Sequence, residues 1–493
     1  MDQAIITQLA AQPVPKGRLL IGGRWCEGQG QDVPVISPID GTQLTTLASA
    51  SEADVARAVA SARAAFDSGV WSRMAPAGRK TVLHRLADLI DRHALDLAVL
   101  GVRDNGTEIS MAIKAEPGSA AGTFRYYAEA IDKTYGEIAP TAPDVLGLIH
   151  REAVGVVGAI VPWNFPLMIG AWKHAPALAT GNSVVLKPAE SASLTLLRLA
   201  DLALEAGVPP GVLNLVTGPG PVTGQALALS MDVDVLVFTG SGATGRRLLE
   251  YAARSNLKRC YLELGAKSPN IVFADAPDLT AAARAAAGAI FRNAGQVCVA
   301  GSRLLVERDV HDAFVEELSR ATAAMTLGNP LDLATQIGAV NSDAQLAANL
   351  GFVADARAEG GTVHSGGARA LGHTGGFYME PTIVTGVAPT HRLFRQEVFG
   401  PMLAVTAFDT ETDAARLANA TDFGLAAGVW TSNLGRAHRM IRAIRAGVVH
   451  VNTYGGTDIT VPLGGVRQSG NGQDKSLHAL DKYTDLKTAW IQT

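Results

Sequence analysis

Of the three cysteines in the chain, Cys26, Cys260 and Cys298, Cys298 stands in the stretch best suited to nucleophilic chemistry. It lies in FRNAGQVCVAGSR, residues 291–303, after a helical pattern and among Gly295, Ala300, Gly301 and Ser302. Small neighbours let a substrate and a cofactor reach the sulfur. A thiol of pKa about 8.5 is a few per cent thiolate at neutral pH, which already exceeds what a serine or threonine hydroxyl offers. A lone cysteine is more often a small buried apolar group. That structural reading is kept for Cys260, in a strand-like run, and for Cys26, beside Trp25 in a hairpin-like segment. Glu263, in LELGAKSPNIV, ends an apolar strand just before Gly265. It reads either as a functional carboxylate or as a surface ion-pair partner, and its place at the carboxyl end of a parallel strand favours function. Asn164, in IVPWNFPLM, is pinned between Pro162 and Pro166 and flanked by Trp163 and Phe165. Its amide suits a donor aimed at a developing oxyanion, and equally a turn-forming asparagine.

Two further segments read as nucleotide sites. FTGSGATGR, residues 238–246, is strand, turn, then helix, which presents backbone N–H groups and a helix N-terminus to phosphate. Gly240 and Gly245 are five apart, so this is not the G-x-G-x-x-G fingerprint. LKPAE, residues 186–190, places Lys187 and Glu190 just past a strand. A carboxylate there accepts ribose hydroxyls and repels a 2′-phosphate, which favours NAD over NADP. Either motif alone is easily a chance match, but their order on one α/β unit is informative. No cysteine is spaced like a metal ligand, and no metal site is expected.

These residues need elements to position them. Between Val154 and Val272, short β-branched runs (VGVVGAIV, SVVLKP, VLNLVTG, VDVLVFTG, YLELG) alternate with helical stretches. That alternation is the signature of a parallel sheet covered on both faces, a doubly wound α/β core. Upstream, residues 51–66 and 79–104 read as two amphipathic helices, the first capped by Ser51. A second α/β unit follows Gly265. It has helices over 279–292, near 309–325 and 343–359, and over 412–420, a Gly-rich loop over 360–376, and strands at 403–408 and 428–431. A cleft between two such units is a common place for a ligand.

The whole composition sets bounds on these readings. At 493 residues the chain is long enough for two or three domains. Lys+Arg 42 against Asp+Glu 46 leaves no basic field for nucleic acid. No apolar run reaches about 18 residues, so no membrane span is expected. The start MDQAIITQLAAQ lacks a basic, apolar leader, and unpaired cysteines suit a reducing setting, so a cytoplasmic location is expected.

In combination, VPWNFP, LKPAE, FTGS-x4-G, LELGAKSPN, GQVC, QEVFGP and PLGGVRQSGNG resemble the aldehyde dehydrogenase superfamily, from IGGRW to the C-terminal KTAW. The resemblance implies a Rossmann-like cofactor domain (1–134 and 154–264), an α/β catalytic domain (265–468) and an oligomerisation arm with the C-terminal strand (135–153 and 469–493). It implies Cys298 as nucleophile, Asn164 as oxyanion donor and Glu263 as the base that activates water. Trp163, Lys187, Glu190, Gly240, Ser241, Gly245, Glu397 and Phe399 match cofactor contacts. Phe165, Ile169, Trp172, Val297, Val299, Thr457 and Leu463 match the aldehyde tunnel. A homo-oligomer, dimer or dimer of dimers, is implied as well. YYAEAIDKTYGE and SGNGQDKSLHALDKYTDLKTAW resemble more closely the gamma-glutamyl-gamma-aminobutyraldehyde dehydrogenases, which implies ω-aminoaldehyde or aliphatic substrates. Several positions depart from that pattern: Leu463 replaces an aromatic, Val466 a tyrosine or phenylalanine, Ala266 a glycine and Gln473 an arginine. Losing a ring at Leu463 widens the expected tunnel toward bulkier, including aromatic, aldehydes. Asp458 is either a contact for an amino group or a solvated loop acid. Glu263 argues against a CoA-acylating semialdehyde dehydrogenase, and the intact Cys298, Glu263 and Asn164 argue against a catalytically silent binding or structural member.

Overall fold

Five of the β-branched runs form the parallel part of a seven-stranded sheet in the computed structural model, which describes residues 2–493. The strand order is Arg259–Glu263, Val235–Thr239, Val156–Ile160, Ser183–Lys187, Leu213–Leu215, followed by the antiparallel hairpin Leu19–Ile21 and Arg24–Cys26. Alternate residues feed two cores. Val157, Ala159, Val184, Val235 and Val237 pack on one face with Trp71, Leu86 and Phe124. Val156, Ile160, Val185, Leu236 and Phe238 pack on the other with Val55, Val59 and Leu248. Burial on both faces explains why these strands read as continuous apolar runs.

The strand order reverses beside Val156–Ile160, whose chain successor Ser183–Lys187 lies on one side and Val235–Thr239 on the other. Open α/β sheets bind ligands in the crevice at such a point, beyond the carboxyl ends of the strands. Trp163 and Asn164 follow one of these two strands, and Gly240 and Ser241 the other.

The second sheet runs Thr362–Ser365, Thr382–Thr385, Met402–Phe408, Arg303–Glu307, Pro269–Val272, Ala426–Trp430, Val448–Val451. All its pairings are parallel except the outermost one, Thr362–Ser365 with Thr382–Thr385. The chain passes from the carboxyl end of Arg259–Glu263 through only five residues to the amino end of Pro269–Val272. That short crossing sets the carboxyl rim of the first sheet against the amino rim of the second. Thr484–Gln492, Val145–Ala153 and Glu137–Ala139 form a separate antiparallel sheet.

The structure corrects two local expectations. The single helix over 79–104 is two helices, Pro76–Arg92 and Ala94–Asn105, because His93 leaves helical geometry (φ −102°, ψ 17°). Both halves keep apolar spacing, so periodicity alone does not show the break. The Gly-rich loop over 360–376 contains the edge strand Thr362–Ser365 and the short strand Arg369–Ala370, which pairs with Tyr378–Met379 just beyond it. The Ser51 cap is present: its hydroxyl accepts from Asp54 N at 3.2 Å, while the Asp54 carboxylate accepts from Ser51 N at 2.9 Å.

Candidate active site

Cys298 sits between the helix Leu279–Phe291 and the strand Arg303–Glu307. The helix ends in a tight turn in which Asn293, Ala294 and Gly295 all take left-handed dihedrals (φ 50°, 49° and 73°). Such backbone persists only when its surroundings hold it, and here they do. The buried Glu108 carboxylate accepts from Asn293 N at 3.1 Å, and Thr107 donates to Asn293 Oδ1 at 2.8 Å. A β-carbon on Gly295 would fall 2.1 Å from the Gly400 carbonyl, so only glycine fits there. Gln296 locks the far side of the turn by donating to Asn293 O at 3.1 Å and accepting from Asn341 N at 2.8 Å.

The Asn164 side chain donates to Gln296 O at 2.9 Å, which ties it to the turn that presents Cys298. An amide nitrogen carries two protons, and that bond uses one of them. Cys298 is half-buried and packs with Leu463, Trp172 and Val299. Burial, with the charges of Glu397 and Glu263 adding to it, pushes its thiol up to about 12.

Glu263 ends its strand 7% exposed, with Oε1 lacking any hydrogen-bond partner among the described residues. Burial first, and then the Asp474 carboxylate, hold its pKa well above the ordinary carboxylate range. Asp474 is clasped by Lys173 at 2.6 Å and Lys482 at 2.5 Å, all three buried. The two lysines keep Asp474 below its ordinary pKa against its own burial, and they oppose the upward shift of Glu263. Sequence reasoning missed this triad. Its one signal was Lys173, the one lysine in the mostly apolar helix Pro166–Ala179.

Trp163, Lys187, Glu190, Gly240 and Ser241, matched to a dinucleotide, lie at or just past the carboxyl ends of strands of the first sheet, while Glu397 and Phe399 come from the second unit, just before Met402–Phe408. Ser241 caps the helix Gly242–Ala253 by accepting from Thr244 N at 3.3 Å. The remaining N–H groups of the first turn suit a pyrophosphate. Gly245 allows that helix to approach, since a β-carbon there would meet Leu264 at 2.8 Å. Lys187 is buried and bonds Pro188 O at 3.0 Å and Glu190 at 3.3 Å, while Glu190 accepts from Gly220 N at 2.7 Å. Glu397 accepts from Ala266 N at 2.8 Å, and burial raises it to about 7. Trp163 and Phe399 meet edge to face with ring centroids 5.2 Å apart. Glu397, Phe399, Gly295 and Cys298 share the walls of one small cavity. Helix N-terminus, carboxylates and ring contacts, drawn from both units, fit a nicotinamide dinucleotide. Among the described residues, no group of three or more His, Cys, Asp or Glu could hold a metal ion.

A cavity of about 720 Å³ opens beside the Cys298 turn. Phe165, Trp172, Val297, Val299, Thr457 and Leu463 line it. Ile169 does not. It is buried at 2% exposure, and its chain neighbour Met168 lines the cavity instead. Asp458 lines the mouth and is solvent-exposed. Met111, Thr123, Arg292, Tyr454 and Lys475 are walls that spacing did not reveal. They arrive from elements far apart in the chain.

Known proteins share this arrangement. Residues 25–489 match the aldehyde dehydrogenase family. The chain is 48% identical over 477 residues to the NADP/NAD-dependent aldehyde dehydrogenase PuuC of Escherichia coli (strain K12), covering 97% of this chain and 96% of that one. The crystal structure of gamma-glutamyl-gamma-aminobutyraldehyde dehydrogenase from Burkholderia cenocepacia J2315 superposes with a TM-score of 0.98 at 50% identity, covering 100% of both chains. Indole-3-acetaldehyde dehydrogenase complexed with NAD+ gives 0.98 at 51% identity, again over 100% of both. With the motifs, the paired α/β sheets and these likenesses in agreement, the chain belongs to the aldehyde dehydrogenase family and oxidises aldehydes to carboxylic acids.

Proposed function

We propose that Cys298 is the nucleophile of an NAD-dependent oxidation, with Asn164 and Glu263 as its partners. The thiol releases its proton to water, Sγ attacks the aldehyde carbon, and the carbonyl oxygen becomes an oxyanion. The free proton of the Asn164 amide and the Cys298 backbone N–H receive that charge, a donor of this kind being worth about 3 kcal/mol of barrier. Bound nicotinamide supplies the hydride acceptor, for which Glu397, Phe399, Trp163, Gly240, Ser241, Gly245, Lys187 and Glu190 form the cradle. Loss of hydride from the tetrahedral carbon leaves a thioester on Cys298. Glu263 takes a proton from water, which attacks the thioester and frees the acid and the thiol. The observation that carries this reading is the buried oxygen of Glu263 without a partner, in the neighbourhood of a thiol that its charge perturbs. A base that makes the thioester short-lived disfavours transfer to CoA.

The large, mostly apolar cavity supports bulky aliphatic or aromatic aldehydes. A second reading, an ω-aminoaldehyde, is favoured by Asp458 at the cavity mouth and by the substrate in the name of the Burkholderia relative. A screen of NADH formation over aliphatic, aromatic and ω-amino aldehydes tests both. Highest kcat/KM for small aldehydes such as acetaldehyde would overturn both. Glu190 supports NAD as the preferred cofactor, and equal KM values for NAD and NADP would count against its ribose role. The arm supports a homo-oligomer: Ile138 and Trp490 are 73% and 66% exposed, and Leu486 is exposed as well. The domain limits are proposed as drawn from the sequence, with one refinement. Residues 469–483 cross the Glu263 strand and its surroundings, and the arm strand begins at Thr484. Among the described residues no helix is long and apolar enough to cross a membrane, and a nucleophilic thiol suits a reducing, cytoplasmic setting.

A further inference from the structure

We infer that Lys475 is a specificity-determining cation on the wall of the aldehyde cavity, favouring aldehydes whose distal end carries a carboxylate or comparable acceptor over those ending in an ammonium. The inference rests on the aldehyde-oxidising reading above, adds the charge of the substrate's tail, and sets itself against the second, ω-amino reading.

Lys475 and Ser476 both take left-handed dihedrals, φ 64° and 51°. Two such residues in succession, neither of them glycine, need external support, and the neighbouring strand-like segment provides it. Asp474 exchanges backbone bonds with Leu463 at 2.6 and 2.8 Å, and Ser476 N donates to Ile459 O at 2.7 Å. The turn sends Asp474 inward to Lys173 and Lys482 and leaves Lys475 on the cavity wall.

Lys475 is only 4% exposed. Its ammonium donates to Thr457 O at 2.8 Å and Thr457 Oγ1 at 2.9 Å. Both acceptors are neutral, so they orient the charge without cancelling it, and one of its three protons remains. The nitrogen stands 5.8 Å from the Trp172 ring centroid. Trp172 lines the same cavity, and its buried indole N–H has no acceptor among the described residues. Lys475 and the Trp172 ring therefore share one wall of the cavity.

The other charges of the cavity do not reverse this. Arg292 is paired with Glu108 at 3.3 Å. His450 is held neutral, its pKa lowered by burial. Asp458 is solvent-exposed and engaged by Thr460 N at 2.9 Å; burial lowers Lys475 to about 8, and the Asp458 charge opposes that fall, so Lys475 is mostly an ammonium at neutral pH. The field of an acid in water is screened, whereas that of a buried ammonium is not. An ω-ammonium tail would meet Lys475 at close range, and an ω-carboxylate would complete it.

The test compares kcat/KM for three aldehydes of matched chain length ending in a carboxylate, its methyl ester or an ammonium. Wild-type enzyme is expected to favour the carboxylate over the ammonium by about 10-fold or more. In Lys475→Met the carboxylate-to-ester ratio should fall about 10-fold, and Lys475→Arg should restore it to within about threefold. A wild-type preference for the ammonium overturns the inference, a reading that holds even where Lys475→Met fails to fold. So does an unchanged ratio in Lys475→Met, or a loss shared equally by carboxylate and ester, which marks a loop clamp. Absence of NADH with every aldehyde would instead overturn the aldehyde-oxidising reading.

Discussion

At the residue scale, the site pairs a thiol and a carboxylic acid that are both disfavoured as anions. Cys298 is pushed up to about 12 and Glu263 is held well above its ordinary range. Each ionises more readily once the other is neutral or a cation is near. Cys298→Ala should therefore abolish NADH formation, and turnover above a few per cent of wild type would remove the nucleophile assignment. Glu263→Gln keeps the shape and loses the base. It should release about one equivalent of NADH per site and then stall with the acyl group on the enzyme, observable as a mass increment. Full steady-state turnover in that variant would show that another group activates water. The sign of the pH dependence follows from the raised pKa of Glu263. The base is active only when ionised, so kcat should rise with pH through a value above the ordinary carboxylate range. A kcat that is flat from pH 5 to 9 would exclude this role.

At the scale of elements, the site depends on close approaches of backbone. Gly470 lies against the end of the Glu263 strand, with φ 123° and a hypothetical β-carbon 1.9 Å from Leu262 O. Gly470→Ala combines a disallowed conformation with a clash against backbone. It should cost about 2 kcal/mol or more of stability and lower kcat by displacing Glu263. A variant within about 0.5 kcal/mol of wild type would show that this approach is slack. A second element stores a protonated acid. Glu116, within the π-helical turn Lys114–Gly118, accepts from Met168 N at 2.7 Å, and burial raises it to about 8. Its folded pKa lies above the unfolded one, so the folded state holds more protons and stability falls as pH climbs from about 4.5 to about 8. Glu116→Gln should flatten that decline in thermal midpoint between pH 6 and 8, and an unchanged slope would assign the loss to other groups.

At the scale of the whole molecule, the arm is an antiparallel sheet whose apolar residues have no partner within the chain. Thr484–Gln492 pairs along its full length with Val145–Ala153, yet Ile138, Leu486 and Trp490 face water. Patches of this kind mark association surfaces. Trp490→Asp combined with Leu486→Asp should shift a sizing profile toward the monomer while leaving the fold intact by circular dichroism. A wild-type chain already monomeric at micromolar concentration would remove the proposed assembly.

Much of this molecule was legible without coordinates, and the reason is local. Strands buried on both faces must be apolar throughout, so Val156–Ile160, Ser183–Lys187 and Val235–Thr239 announce themselves. Small residues must surround an accessible thiol, so the Cys298 turn does too. What stayed hidden depends on distance in the chain. Lys173, Asp474 and Lys482 become one buried triad only because residues 469–483 return across the first sheet. Lys475 reaches the aldehyde cavity through a turn that no propensity favours. Ile169 was expected in the tunnel through the family resemblance, but in the fold it is buried and its neighbour Met168 lines that wall. The break at His93 is equally silent, because two helices packed on one core share one apolar pattern. The sequence by itself determined the strands, the helix caps and the residue types that can attack, polarise and deprotonate. Tertiary structure alone decided which charges are buried together, and so which acid is raised, which is lowered and which cation lines the cavity. Coulomb interaction and desolvation act through space and not along the chain.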